Sequence, residues 1–177
     1  MHDKLIALLK HVQDGGDLPL EVSKSLYDDV RSSKDGNKYE EWYVGAVGFL
    51  ASYNGRYFDG GYAKTIVSKT GVTRNYYDEA KRNLEHQAPK LKDIQFINCD
   101  YMSFSDVKGA LIYCDIPYKD TKQYSVSKNF NHDDFWRWVR DMSKHNIVVV
   151  SELQAPDDFE CVWQPVSYTH LRAHETV

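Results

Sequence analysis

The feature that most constrains this chain is a short apolar run that ends in a carboxylate and a proline. Ala110-Leu111-Ile112-Tyr113-Cys114 is followed directly by Asp115-Ile116-Pro117-Tyr118. The apolar and β-favouring side chains, bounded by Gly109 and Pro117, predict a buried strand. A second unbroken apolar run, Ile147 to Val150, has the character of an interior strand in a parallel sheet. Between the two, Phe135, Val139 and Met142 fall on one face of a predicted helix, flanked by Trp138 and capped by Asn131 or Asp133. In open α/β sheets, ligands bind beyond the carboxyl ends of the strands, so Asp115 to Tyr118 is where chemistry is expected. The same residues also describe a strand running into a Pro-containing turn, with Asp115 accepting local backbone N–H groups.

With 177 residues, the chain is long enough for one domain with a real core. No apolar run is long enough to span a membrane, and the amino terminus shows no charged-then-apolar leader. Cys99, Cys114 and Cys161 are widely spaced and odd in number, form no metal-ligand spacing, and suggest a reducing, cytoplasmic setting. A net charge of −4 argues against a generic nucleic-acid binder, so any contact with DNA has to come from a local patch.

Residues 52–76 provide such a patch. Arg56, Lys64, Lys69 and Arg74 stand against the one acid Asp59, with Tyr53, Tyr57, Tyr62 and Tyr76 interleaved. Cations bind phosphates, and planar rings stack on bases or wedge between them. A solvated, aromatic-rich loop accounts for the same composition. Ahead of the patch, residues 3–13 predict an amphipathic helix with Leu5, Leu8, Leu9 and Val12 on its stripe, His11 facing solvent, and Gly15-Gly16 at its end. Pro19 leads a second helix through Val22, Leu26 and Val30, Asp35-Gly36-Asn37 makes a turn, and Glu40 to Tyr53 reads as a tightly packed core helix. Beyond the patch, Asn75 to His86 is a polar helical connector, Ile94 to Cys99 alternates like a strand, and Cys161-Val162-Trp163 begins another.

Cys-Asp-Ile-Pro-Tyr at 114–118 closely resembles the Asp-Pro-Pro-Tyr motif of DNA adenine-specific methyltransferases that use S-adenosylmethionine. The following Lys119-Asp120-Thr121-Lys122, His132-Asp133-Asp134-Phe135-Trp136 and Asn146 to Glu152 are similar to the phage-like branch of the Dam-like class. So are Tyr53-Asn54-Gly55-Arg56 and Gly60-Gly61-Tyr62, which resemble its DNA-contact segment. The resemblance covers roughly residues 1–163 and implies a mixed α/β, Rossmann-like methyltransferase fold with an inserted helical DNA-recognition segment. Residues 1–92 would be the helical and DNA-recognition part, and 93–164 a partial catalytic core. Residues 165–177 continue no periodicity, resemble adapter or vector read-through, and are expected to lie outside the domain.

The resemblance implies a methyl donor, S-adenosylmethionine, no metal, and double-stranded DNA as the partner of a monomer. Whether a restriction endonuclease accompanies it is left open. It assigns Asp115, Ile116, Pro117 and Tyr118 to catalysis, Asp100 and Asp115 to the cofactor, and Tyr53, Asn54, Arg56 and Lys64 to DNA. Asp100 serves equally well as a turn cap. The adenine exocyclic amine is a poor nucleophile because its lone pair is delocalised into the ring. Acceptors for both amine hydrogens, the Asp115 carboxylate and the Ile116 carbonyl, would return electron density to nitrogen and stabilise its developing positive charge. Tyr118 would stack on a base flipped from the duplex. Cys114 reads as a small strand residue, not a nucleophile. Two departures stand out: Ile116 replaces the usual Pro, and no Phe-x-Gly-x-Gly loop occurs. The chain also begins at the helix that in the family follows a strand bearing an acidic residue, which implies missing chain ahead of Met1; without that acid and the glycine loop, weak binding of S-adenosylmethionine is expected. Two other readings remain open: a non-catalytic DNA-binding remnant, and a methyltransferase acting on RNA or a protein amide.

Overall fold

The computed structural model describes residues 2–67, 70–71, 73–119 and 130–164. The fold is mixed α/β, and the chain divides into two compact units, residues 1–99 and residues 100 onward. The sequence reading draws this division at 92/93.

In the first unit, α1 (His2–Gln13) and α3 (Glu41–Leu50) pack closely. Glycine makes this possible, because a Cβ on Gly45 would lie 2.2 Å from the Lys4 carbonyl oxygen. Leu8 and Val12 of α1 and Val44, Ala46 and Val47 of α3 are buried, as the apolar stripes dictate. His11 departs from its solvent-facing expectation. It stacks on Trp42 with ring centroids 3.6 Å apart, and its Nε2 lies 2.9 Å from the Asp17 carbonyl oxygen. Helix α2 (Lys24–Ser33) begins well after Pro19, where Ser23 caps it by accepting the Leu26 N–H. Val22 is therefore buried in the extended lead-in and not on the helix.

After α3 the chain folds back on itself. A turn at Tyr53–Gly55 carries Asn54 at φ 54°, and the Tyr53 and Ala63 N–H groups donate to Gly61 and Ala51. The short strands β1 (Ile66–Val67) and β2 (Thr73–Arg74) then pair antiparallel. Helix α4 (Tyr76–Gln87) follows, capped by the Asn75 side chain. Three tyrosine hydroxyls tie these parts together. Tyr27 bonds Ser52, Tyr62 donates to the Val22 carbonyl, and Tyr77 donates to the Pro19 carbonyl. Burial pushes the Tyr77 phenol above its usual range.

The second unit is a strand–helix–strand. β3 (Leu111–Asp115) and β4 (Ile147–Ser151) are parallel, with Leu111 opposite Ile147 and Asp115 opposite Ser151. Helix α5 (His132–Met142) joins them, and Asn131, not Asp133, is its cap, accepting from the Asp133 and Asp134 N–H groups. Its face of Phe135, Trp136, Trp138, Val139 and Met142 packs on Ile112, Cys114, Val148 and Val150. Asn146 sets the start of both strands by accepting the Ala110 N–H and donating to the Val107 and Met142 carbonyls.

The sequence suggested strands buried on both faces, and neither is. Leu111 and Ile147 are 72% and 68% exposed, because α5 covers only one side of the pair. Two expected strands are also replaced by irregular chain. Residues 94–99 and 161–163 pair with no strand among the described residues, and Ile97 and Trp163 are exposed. Alternation alone does not make a strand where no neighbour offers backbone partners. The expected tail, 165–177, lies outside the described residues, as does most of the loop after Lys119.

Candidate functional site

Asp115 is the last residue of β3, and its side chain is exposed at the carboxyl end of the parallel pair. The chain leaves the strand immediately, since Pro117 has no N–H to continue a ladder. Ile116 is 9% exposed and packs in the cluster around α5. Its side chain is thus a core contact as well as a spacer between Asp115 and Pro117. Cys114, pointing toward the helix, is half-buried, and burial pushes its thiol up, away from a reactive thiolate.

Tyr118 is half-buried, with its hydroxyl 2.9 Å from Ser151 Oγ on the neighbouring strand. The next residue is fastened as well, because the Lys119 N–H donates to Glu152 Oε2 over 3.3 Å. The other Glu152 oxygen accepts the Leu153 N–H at 2.7 Å. His132 Nδ1, at the start of α5, lies 4.0 Å from the same carboxylate, whose side chain is only 3% exposed. Ser151, Glu152 and His132 are absent from the sequence-based site. The rule that singled out Asp115 would have found the first two, since they end the second parallel strand as Asp115 ends the first.

Asp100 is exposed and caps the turn Tyr101–Phe104 by accepting the Met102 N–H at 2.9 Å. The DNA-contact candidates belong to the first unit. Tyr53 is half exposed, and its ring meets Tyr76 edge-on with centroids 6.2 Å apart. Asn54 is exposed in the left-handed region, and Lys64 is exposed. Arg56 is paired with Asp59 at 3.1 Å. Arg74 makes two bonds to Glu79, 2.7 and 2.8 Å, and lies over the Tyr76 ring. That pairing raises the guanidinium pKa and holds the Glu79 carboxyl below its usual range. Lys69 lies outside the described residues. Of the four tyrosines, Tyr57 and Tyr62 pack against the core of this unit, which removes them from the set of free stacking rings. A cleft of about 480 Å³ has Leu5, Leu9, Phe49 and Leu84 among its lining, with Asn54 and Arg74 at the polar part of its wall.

Among the described residues, no group of three or more His, Cys, Asp or Glu side chains could hold a metal, and no helix is long and apolar enough to cross a membrane. No family model, curated protein or solved structure matches the chain.

Proposed function

We propose that this chain carries the base-activating part of a DNA adenine methyltransferase of Rossmann-like fold. The reaction is transfer of a methyl group from S-adenosylmethionine to the exocyclic amine of adenine in double-stranded DNA. One observation carries the reading: the Asp-Ile-Pro-Tyr carboxylate stands exposed at the carboxyl end of a parallel strand, with an aromatic ring fastened just beyond it. Exposed acceptors of this kind suit the chemistry. Asp115 accepts one amine hydrogen and the Ile116 carbonyl the other, which concentrates electron density on nitrogen as positive charge develops there. Tyr118 supplies a face for the flipped base, offsetting an unstacking cost of roughly a few kcal/mol.

S-adenosylmethionine, when bound, supplies an electrophilic methyl on sulfur. Methyl transfer would form the N–C bond as the C–S bond breaks with its electron pair left on sulfur, and the nitrogen would then release one proton to water. Asp100 and Asp115 are the carboxylates available to the donor. Asp100 fits in part, because its turn engages one side of the carboxylate and leaves the group exposed.

Tritium transfer from methyl-labelled S-adenosylmethionine to unmethylated genomic DNA tests the reading. Such DNA contains every short target, and the donor is used at saturating concentration because no Phe-x-Gly-x-Gly loop occurs in the sequence. The expected product is methylated adenine, with the rate cut by about 10²–10³ in Asp115→Ala, the scale of losing one pre-placed polar group. Label found only in RNA or protein would overturn the choice of acceptor. DNA retention without transfer would overturn the enzymatic reading in favour of a binding remnant.

A further inference from the structure

We infer that Ser151 and Glu152, at the carboxyl end of β4, are positioning residues that hold the segment after Asp115 in one attitude for a planar base. The inference deepens the proposed function and rests on it for the identity of that base.

The Glu152 carboxylate is the focus of three chain segments. One oxygen takes the Lys119 N–H from the segment after β3, and the other takes the Leu153 N–H from the segment after β4. His132, at the start of α5, stands 4.0 Å away. A carboxylate this buried is costly unless its lone pairs are satisfied, and backbone N–H groups satisfy them without requiring a fixed counter-charge. Because each oxygen accepts a backbone N–H and the side chain is only 3% exposed, Glu152 has a structural hold on the site and is not placed to meet substrate itself. Its neighbour Ser151 completes the hold by meeting the Tyr118 hydroxyl at 2.9 Å. A tyrosine ring has two torsions; the hydroxyl lies on the axis of the second, so a bond there fixes where the far end of the ring stands and thereby limits the first. The ring is thereby held in one place beyond the strand end, so less rotamer freedom is lost when a base stacks on it. Stacking selects a planar aromatic ligand, and Asp115, exposed at the end of β3 three residues earlier, selects one that bears hydrogen-bond donors, as the adenine amine does.

Two measurements on the full chain separate the positioning role from the function it serves. Amide hydrogen exchange reads the hold directly. Protection at Lys119 or Leu153 should fall by about tenfold or more in Glu152→Gln, as a charge-assisted bond is weakened, with far-UV circular dichroism unchanged. Binding of a duplex containing 2-aminopurine, a planar fluorescent base, reads its consequence. Ser151→Ala and Tyr118→Phe should each weaken binding by about three- to tenfold, and the double variant should be no worse than either, because both remove the same hydrogen bond. Ser151→Thr, which keeps a hydroxyl, should restore binding. Additive effects of the two single changes, or unaltered exchange at both amides in Glu152→Gln, would overturn the inference. A parent chain that ignores the duplex while Glu152→Gln loses protection would overturn the proposed function and leave the hold on Lys119 standing.

Discussion

Ile116 answers to two demands at once. Under the proposed function its carbonyl accepts from the adenine amine, and the following Pro117 keeps residue 116 in extended or polyproline geometry, as it would keep a Pro there. Its side chain, however, packs with Phe135 and its neighbours under α5. Ile116→Pro would restore the motif of the resembling family but remove buried methyl groups and change shape in a packed cluster. The expected outcome is a domain destabilised by about 1–3 kcal/mol in urea denaturation, with residual activity retained per folded molecule. A variant that melts like the parent yet has lost all methyl transfer would show that position 116 contributes more to the reaction than a carbonyl. His11 illustrates the same limit at another residue. Off the apolar stripe of α1 it reads as solvated, and its contact with Trp42 depends on which helix lies alongside.

At the scale of elements, the segment 52–76 has changed most between sequence and structure. Its composition of cations and tyrosines reads as a DNA-contact loop. Folding spends Tyr62 on the Val22 carbonyl, Tyr57 on Phe49 and Phe58, and Arg74 on Glu79. Lys64 stays exposed, and Arg56 has a solvent-facing partner in Asp59. An exposed ion pair is worth little and is readily exchanged for a phosphate. Lys64→Ala is therefore expected to lower the log–log salt slope of DNA binding by about one, and Arg56→Ala by up to about one. Binding titrations across a salt series check this, and unchanged slopes in both variants would leave a solvated loop as the reading of this segment.

For the whole molecule, the division at 99/100 separates parts that differ in how much core each holds. The first unit contains two buried clusters, one around Tyr27, Val44 and Val47 and one around Leu8, Val12 and Ala46. Among the described residues the second packs one helix on one face of a two-stranded pair and leaves Leu111, Tyr113 and Ile147 exposed on the pair, so it buries the smaller core. Residues 1–99 expressed alone are thus expected to keep their helical signal and melt cooperatively, whereas residues 100–164 alone should melt broadly. Circular dichroism melts of the two pieces check this. A non-cooperative melt of 1–99 would show that its clusters do not amount to an independent core.

The residues alone determined the elements whose signals are local. The amphipathic stripe of α1, the apolar middle of α3, the capped α5 between two apolar runs, and the carboxylate at the end of β3 all follow from periodicity, capping and proline chemistry over a few neighbouring positions. Tertiary structure decided whatever depends on a partner distant in sequence. The alternating stretch 94–99 is not a strand, because a strand exists only where another backbone receives its hydrogen bonds. The apolar runs of β3 and β4 keep one face exposed, because one helix covers one side. Glu152 became part of the site for the same reason. Its place after an apolar run marks it only as a residue at a strand end; its hold on the Lys119 N–H exists only once β4 lies against β3.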